Sequence, residues 1–210
     1  STHPPLPPTT EEERFAWLRL LRSRRVGIST FYRMLAEYGS ASEALLALPE
    51  VARAAGVSDY SPCPTGVVAA ELSAGRKANS RLVAVGEAEY PNLLSQISDA
   101  PPLLWINGNA EVLNKPMIAI VGARNASSLG LRMARKLAID LGAAGYCVVS
   151  GLARGIDTAA HEAALPTGTI GVHAGGVDVI YPKENEKLAL QIEETGLRLS
   201  EQPMGLTPQA

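Results

Sequence analysis

Near residue 81 the chain changes the period of its hydrophobic pattern. Behind Thr10, Phe15, Leu18 and Leu21 recur at helical spacing with Trp17 and Leu20, and Glu11, Glu12 and Glu13 occupy the first turn, where the helix dipole favours anions. Gly27 and Ser29 interrupt the pattern, which predicts a second helix over 30–37; Gly39-Ser40 then separates it from a third over 41–47. Short helices follow to about residue 79, around a proline-rich loop at 61–64. Residues 11–80 therefore read as a small all-α domain. Residues 1–10 hold four prolines and are expected to be a disordered lead-in.

Over 81–113 the pattern predicts two short strands, 82–85 and 103–106, separated by Tyr90-Pro91 and Ala100-Pro101-Pro102. From Met117 the alternation is strict: strand 117–121 and helix 128–143, strand 146–150 and helix 156–164, strand 169–173 and helix 184–195, then strand 197–200. Strands interleaved with helices of this length imply a parallel sheet with right-handed crossovers. The fold class is α/β, a doubly wound and mostly parallel sheet over 81–210 preceded by the helical domain.

Composition narrows the function only by exclusion. The formal net charge of −2 speaks against a protein that coats nucleic acid through overall positive charge. Residues 1–80 carry +1 and residues 81–210 carry −3, so any anion site must be local. Cys63 and Cys147 lie far apart and read as buried thiols, and no Cys/His cluster has metal-ligand spacing. No apolar run approaches the roughly 20 residues of a membrane span, and residues 1–10 are proline-rich rather than signal-like, which leaves the cytoplasm as the expected compartment. The chain begins at Ser1 without a methionine, as a processed or engineered chain does.

The candidate chemistry sits where strands end. Gly122-Ala123-Arg124 follows the strand at 117–121, and Ser150-Gly151-Leu152-Ala153-Arg154-Gly155-Ile156-Asp157 follows the strand at 146–150. In an open α/β sheet ligands bind outside the carboxyl ends of the strands, so two arginines delivered there imply an anion, with phosphate the best match. A dinucleotide fingerprint is missing, because no glycine follows Gly122 until Gly130; no nicotinamide or flavin cofactor is expected. The helix starting near Ser127-Ser128 would offer backbone N–H groups to an oxyanion. Arg124 has a plainer alternative, pairing with a nearby carboxylate.

Asp157 reads as a structural N-cap. His161, one helical turn further, reads as a residue that orients the loop, with an Asp–His catalytic pair as the alternative. Lys183, after Tyr181-Pro182, is a third candidate cation on the same edge, or else a solvated lysine. No nucleophile elbow, Walker loop or Pro-Gly-Gly-x-Gly-Thr signature occurs, so no catalytic residue is assigned. In the helical domain the glycine hairpin around Gly27, with Arg22, Arg24 and Arg25 before it, suits DNA backbone contact, protein docking or plain packing.

Taken together these elements resemble the DNA-processing protein A (DprA, or Smf) family. The resemblance runs through Tyr90-Pro91, Pro101-Pro102-Leu103-Leu104, Gly108, Ile120 to Arg124, Ser150 to Asp157 with His161, Tyr181-Pro182 and Ser200-Glu201-Gln202-Pro203, in the family's order and spacing. It implies an extended Rossmann-like fold that binds single-stranded DNA and loads the RecA recombinase in transformation and recombination. The helical domain resembles the sterile-alpha-motif-like extension of some members. By position, Gly122, Arg124, Ser150, Gly151, Arg154 and Gly155 would line the phosphate pocket, with Lys183 added from the local reading and Asp157 and His161 as structural support. The family continues with an aromatic and an Arg-Asn-Arg run after a segment like 205–208, so the resemblance implies a C-terminally incomplete domain, with homodimerisation and full DNA affinity expected of the longer protein. The rival readings are a nucleotide-phosphoribohydrolase-type enzyme on a related fold, using Asp157 or His161, and a protein-docking adaptor.

Overall fold

The computed structural model describes residues 6–208. Four helices come first: α1 (Glu11–Leu21), α2 (Ile28–Tyr38), α3 (Ala41–Ala54) and α4 (Thr65–Lys77). Thr10 caps α1 by accepting from the Glu13 amide at 3.1 Å, while the Glu13 carboxylate accepts from the Thr9 amide at 2.7 Å. That is a capping-box exchange shifted by one residue. Gly39, at φ +78°, closes α2, and Ser40 caps α3 by accepting from the Glu43 amide. The expected lead-in at 1–10 lies partly outside the described residues. From residue 6 it is irregular backbone, but Pro8 is buried, so packing holds it.

The chain divides into two compact units: one takes the residues up to Ser73 together with Val83–Leu103, the other Ala74–Leu82 with the residues from Leu104 onward. This differs from a single cut at residue 80, and long-range polar pairs explain why. Arg14 makes a two-pronged ion pair with Glu87 (2.9 and 2.6 Å), and the Tyr32 hydroxyl donates to the Ala100 carbonyl at 2.9 Å, binding 83–103 to the helices. Trp17, Leu18, Leu20, Phe31 and Met34 form the core of this unit, with Trp17 and Phe31 meeting edge to face at 5.1 Å.

Arg22 and Glu71 form a second two-pronged pair in the same unit (2.9 and 2.8 Å), with side chains only 13% and 6% exposed. Removing one partner strands the other as a buried charge. Glu71→Ala should therefore lower the unfolding free energy by about 3–5 kcal/mol, measured by urea denaturation. A loss of only a few tenths would mean that the guanidinium finds water instead.

The sheet comprises β1 (Arg81–Ala84), β2 (Leu103–Gly108), β3 (Met117–Ala119), β4 (Cys147–Ser150), β5 (Thr169–Val172) and β6 (Leu197–Ser200), in the spatial order β1-β2-β6-β5-β4-β3. The unit boundary falls within β1 and β2. Strands β3 to β6 run parallel, with Met117 opposite Cys147, Val148 opposite Thr169 and Ile170 opposite Leu197; β2 lies antiparallel to β6. The crossovers are α5 (Ser128–Ala143), α6 (Ile156–Ala164) and α7 (Glu186–Thr195). The α/β class, the mostly parallel sheet and the preceding helical domain stand as the sequence predicts.

Helix α5 buries a stripe of small residues, Ala134, Ala138 and Gly142, and packs closely on α6, while Leu129, Met133 and Leu137 face outward. Both cysteines are free and buried. Burial pushes the Cys147 thiol up to about 11, which makes it a poor nucleophile. Among the described residues, no helix is long and apolar enough to cross a membrane.

Candidate nucleic-acid interface

Because β3 and β4 are parallel, the segments that follow them emerge at the same edge, and the structure brings the two glycine motifs into direct contact. The Ser150 hydroxyl donates to the Ile120 carbonyl at 2.6 Å, tying the ends of the strands together. Beyond them the Ile156 amide donates to the Ala123 carbonyl at 3.2 Å. Gly155 sits at φ +78°, ψ −119°, where a Cβ would run into the carbonyl oxygens of both Ala123 and Arg124. A Cβ on Gly122 would lie 2.7 Å from Ile156 Cγ1. Both glycines are therefore required by the approach of one loop to the other.

The turn carrying Arg154 is pinned from three sides. Leu152 adopts φ +59° and drives its side chain among Leu188, Ala189 and Ile192 of α7. The Thr158 hydroxyl donates to the Ala153 carbonyl at 2.7 Å. The buried Asn185 amide donates to the Leu152 carbonyl (2.7 Å) and to Thr158 Oγ1 (2.9 Å), which joins this turn to the segment containing Lys183. The backbone of the turn is fixed before any ligand arrives.

Asp157 does not cap α6. The helix starts at Ile156, as predicted, so its cap is Gly155, and the Asp157 carboxylate reaches back to accept from the Gly151 amide at 3.1 Å. The N-cap expectation is thus corrected: Asp157 braces the turn and complements the helix dipole from the first turn. At α5 the Ser127 hydroxyl already accepts from the Gly130 amide, so that N–H is unavailable to a ligand.

His161 is completely buried, and its Nδ1 lies 2.8 Å from Thr169 Oγ1. The Thr169 hydroxyl donates to the Val148 carbonyl (2.7 Å), so it accepts from Nδ1–H. Burial pushes the His161 pKa down to about 4, with the Asp157 charge and the Ser150 backbone pulling the other way. A neutral ring sealed in the core has no solvent path for a proton.

The cations divide in a way the sequence leaves open. Arg124 is exposed and makes no ion pair among the described residues. Arg154 is the paired one: its Nε and one terminal nitrogen donate to the two oxygens of Glu184, the latter bond at 2.9 Å. This hydrogen bonding holds the Glu184 carboxyl below its usual range and raises the Arg154 pKa. Lys183 is exposed beside it. Glu184 was missing from the sequence-derived site; its position next to Lys183 was the available signal.

The third glycine turn is occupied by the chain itself. The Gly176 amide donates to the Leu206 carbonyl at 2.8 Å, and a Cβ on Gly175 would meet Pro208. In the helical unit a cleft of about 990 Å³ is lined by Pro7, Trp17, Tyr32, Leu35 and Ile97, and it includes none of the candidate cations.

A helical domain followed by a mostly parallel sheet, with glycine-arginine turns at its carboxyl edge, defines a Rossmann-like protein without the dinucleotide fingerprint. Sequence comparison places it further. The family described as DNA recombination-mediator protein A matches residues 81–210, and the DprA-like N-terminal HHH domain matches residues 11–74. The chain belongs to the DprA/Smf family.

It is 46% identical over 121 residues to DNA processing protein DprA of Streptococcus pneumoniae (57% of this chain, 43% of the relative) and 37% identical over 141 residues to that of Bacillus subtilis (66% and 48%). The matches thus span less than half the length of these relatives. The X-ray structure of the S. pneumoniae protein superposes with a TM-score of 0.65 at 32% identity, covering 89% of this chain and 71% of that one. The structure of DNA processing protein A from Helicobacter pylori, described as having a unique single-stranded DNA binding mode, gives 0.56 at 31% identity (63% and 60%).

Proposed function

We propose that this protein binds single-stranded DNA at the carboxyl edge of its sheet and acts in DNA processing during transformation and recombination, presenting the strand to RecA. The observation that carries the reading is the seating of the Gly122–Arg124 loop on Gly155, which holds Arg124, without an ion pair among the described residues, on a fixed backbone at the edge where α/β sheets bind ligands. The single-stranded DNA binding mode named for the H. pylori relative supports the same ligand. Arg124, Arg154 and Lys183 take backbone phosphates, and Gly122, Ser150, Gly151 and Gly155 shape the floor. Affinity is then salt-dependent and only weakly sequence-dependent.

The protein is read as a binder rather than an enzyme. His161 is buried and neutral, and the Asp157 carboxylate is engaged by the Gly151 amide, so neither group reaches an incoming nucleotide. The RecA contact, homodimerisation and a cytoplasmic setting rest on family membership and go with the longer relatives. The test is a competition titration: unlabelled single strand should displace a labelled oligothymidine at lower concentration than duplex of the same length. Equal displacement contradicts the single-strand preference. Release of free base from nucleoside monophosphates would favour the phosphoribohydrolase reading instead.

A further inference from the structure

Arg124 stands open on this edge, whereas Arg154 gives its side-on donor pair, Nε and one terminal nitrogen, to Glu184. The fork-to-fork geometry is the one a phosphate would adopt on the same guanidinium. The pair is solvent-facing, with side chains 61% and 53% exposed, so it is a poor structural fastener. The placement of Glu184 does not depend on it. Its neighbour Asn185 is buried and bonded to Leu152 and Thr158 on the Arg154 turn, and this presents the carboxylate in front of the guanidinium.

We propose that Glu184 is a tethered competitor for the backbone phosphate: it occupies Arg154 until a strand already engaged at Arg124 delivers a second phosphate that displaces it. This inference rests on the single-stranded DNA reading above and names the residue that tunes it. A lone phosphate has to displace the carboxylate unaided. A polymer anchored at Arg124 presents its next phosphate at high local concentration. The device favours a strand over free nucleotides and phosphate ions, which carry the same chemical group.

The experiment is fluorescence anisotropy of a labelled oligothymidine at fixed low salt with the wild type, Glu184→Gln, Arg124→Ala and, as a charge-matched control, Glu186→Gln. Glu186 is exposed, lies two residues on, and forms no ion pair among the described residues. Glu184→Gln should tighten binding about two- to fivefold, the equilibrium ratio corresponding to an exposed ion pair. It should also lower the concentration of inorganic phosphate needed to displace the strand. Glu186→Gln should change neither.

An equal gain in both glutamine variants would mean that bulk charge is responsible, and would overturn the proposal. Unchanged or weaker binding in Glu184→Gln, with Arg124→Ala still impaired, would overturn it while leaving the DNA-binding reading intact. No binding by the wild type would remove both.

Discussion

Replacing Gly155 with alanine should lower stability by about 2–6 kcal/mol and abolish binding at the proposed anion site in the same step. Two costs combine at this position. The backbone at φ +78°, ψ −119° is open to glycine and strained for any other residue. The added methyl also points at the Ala123 and Arg124 carbonyls, which are backbone atoms and yield only if the whole loop moves. Relief of the clash pushes Arg124 off the sheet edge, so folding and binding fail together. The check is a paired one: urea denaturation and oligothymidine titration of Gly155→Ala beside Arg124→Ala. The glycine variant should lose both properties and the arginine variant only binding. A Gly155→Ala protein with wild-type stability would contradict the described contact.

Acidification should destabilise the sheet unit steeply between pH 6.5 and 4. His161 and His173 are both held neutral, each with a pKa pushed down to about 4, chiefly by burial. The neighbouring Arg198 adds to the depression at His173, whose Nε2 accepts from that guanidinium at 3.2 Å. In the unfolded chain both rings titrate near 6.5. Below that value the unfolded state takes up protons that the folded state refuses. The contribution is therefore complete above about pH 6.5 and is lost as pH falls toward 4. Each ring accounts for about 3 kcal/mol over that span, and together they approach the whole stability of an ordinary domain. Urea midpoints measured at pH 7.5, 5.5 and 4.5 should drop progressively. Midpoints that hold constant would mean the rings are protonated in the native state or reach solvent.

The two halves of the chain differ in how much of this could be read beforehand. From Met117 onward each strand is short and has a glycine close by, so the element order was legible and the bounds of α5 and α6 fell where the pattern put them. In the helical half α3 continues to Ala54 through Pro49, beyond the predicted end at 47. A proline removes one backbone donor, and burial of Leu48 and Ala52 keeps the helix going regardless.

The compact units escaped the sequence because Arg14–Glu87 and Tyr32–Ala100 join residues about seventy positions apart, with no local pattern to announce them. At the candidate site the glycines and arginines were visible as turn residues on strand ends. Which arginine is paired was not, since Glu184 lies 30 positions from Arg154. The start of α6 at Ile156 was legible and already puts Asp157 inside the first turn; what the sequence did not show is that its carboxylate turns back to the Gly151 amide.

The central claim is that Arg124, Arg154 and Lys183 hold the phosphates of a single strand. Anisotropy of a labelled oligothymidine across a salt series tests it most directly. Three phosphate contacts give a slope of about −2 in log affinity against log salt, and Arg124→Ala should weaken binding and shallow that slope by about 0.7. Its thermal melt should stay where the wild type's is, because the side chain makes no ion pair among the described residues. A slope unchanged by Arg124→Ala, or binding indifferent to salt, would contradict the account.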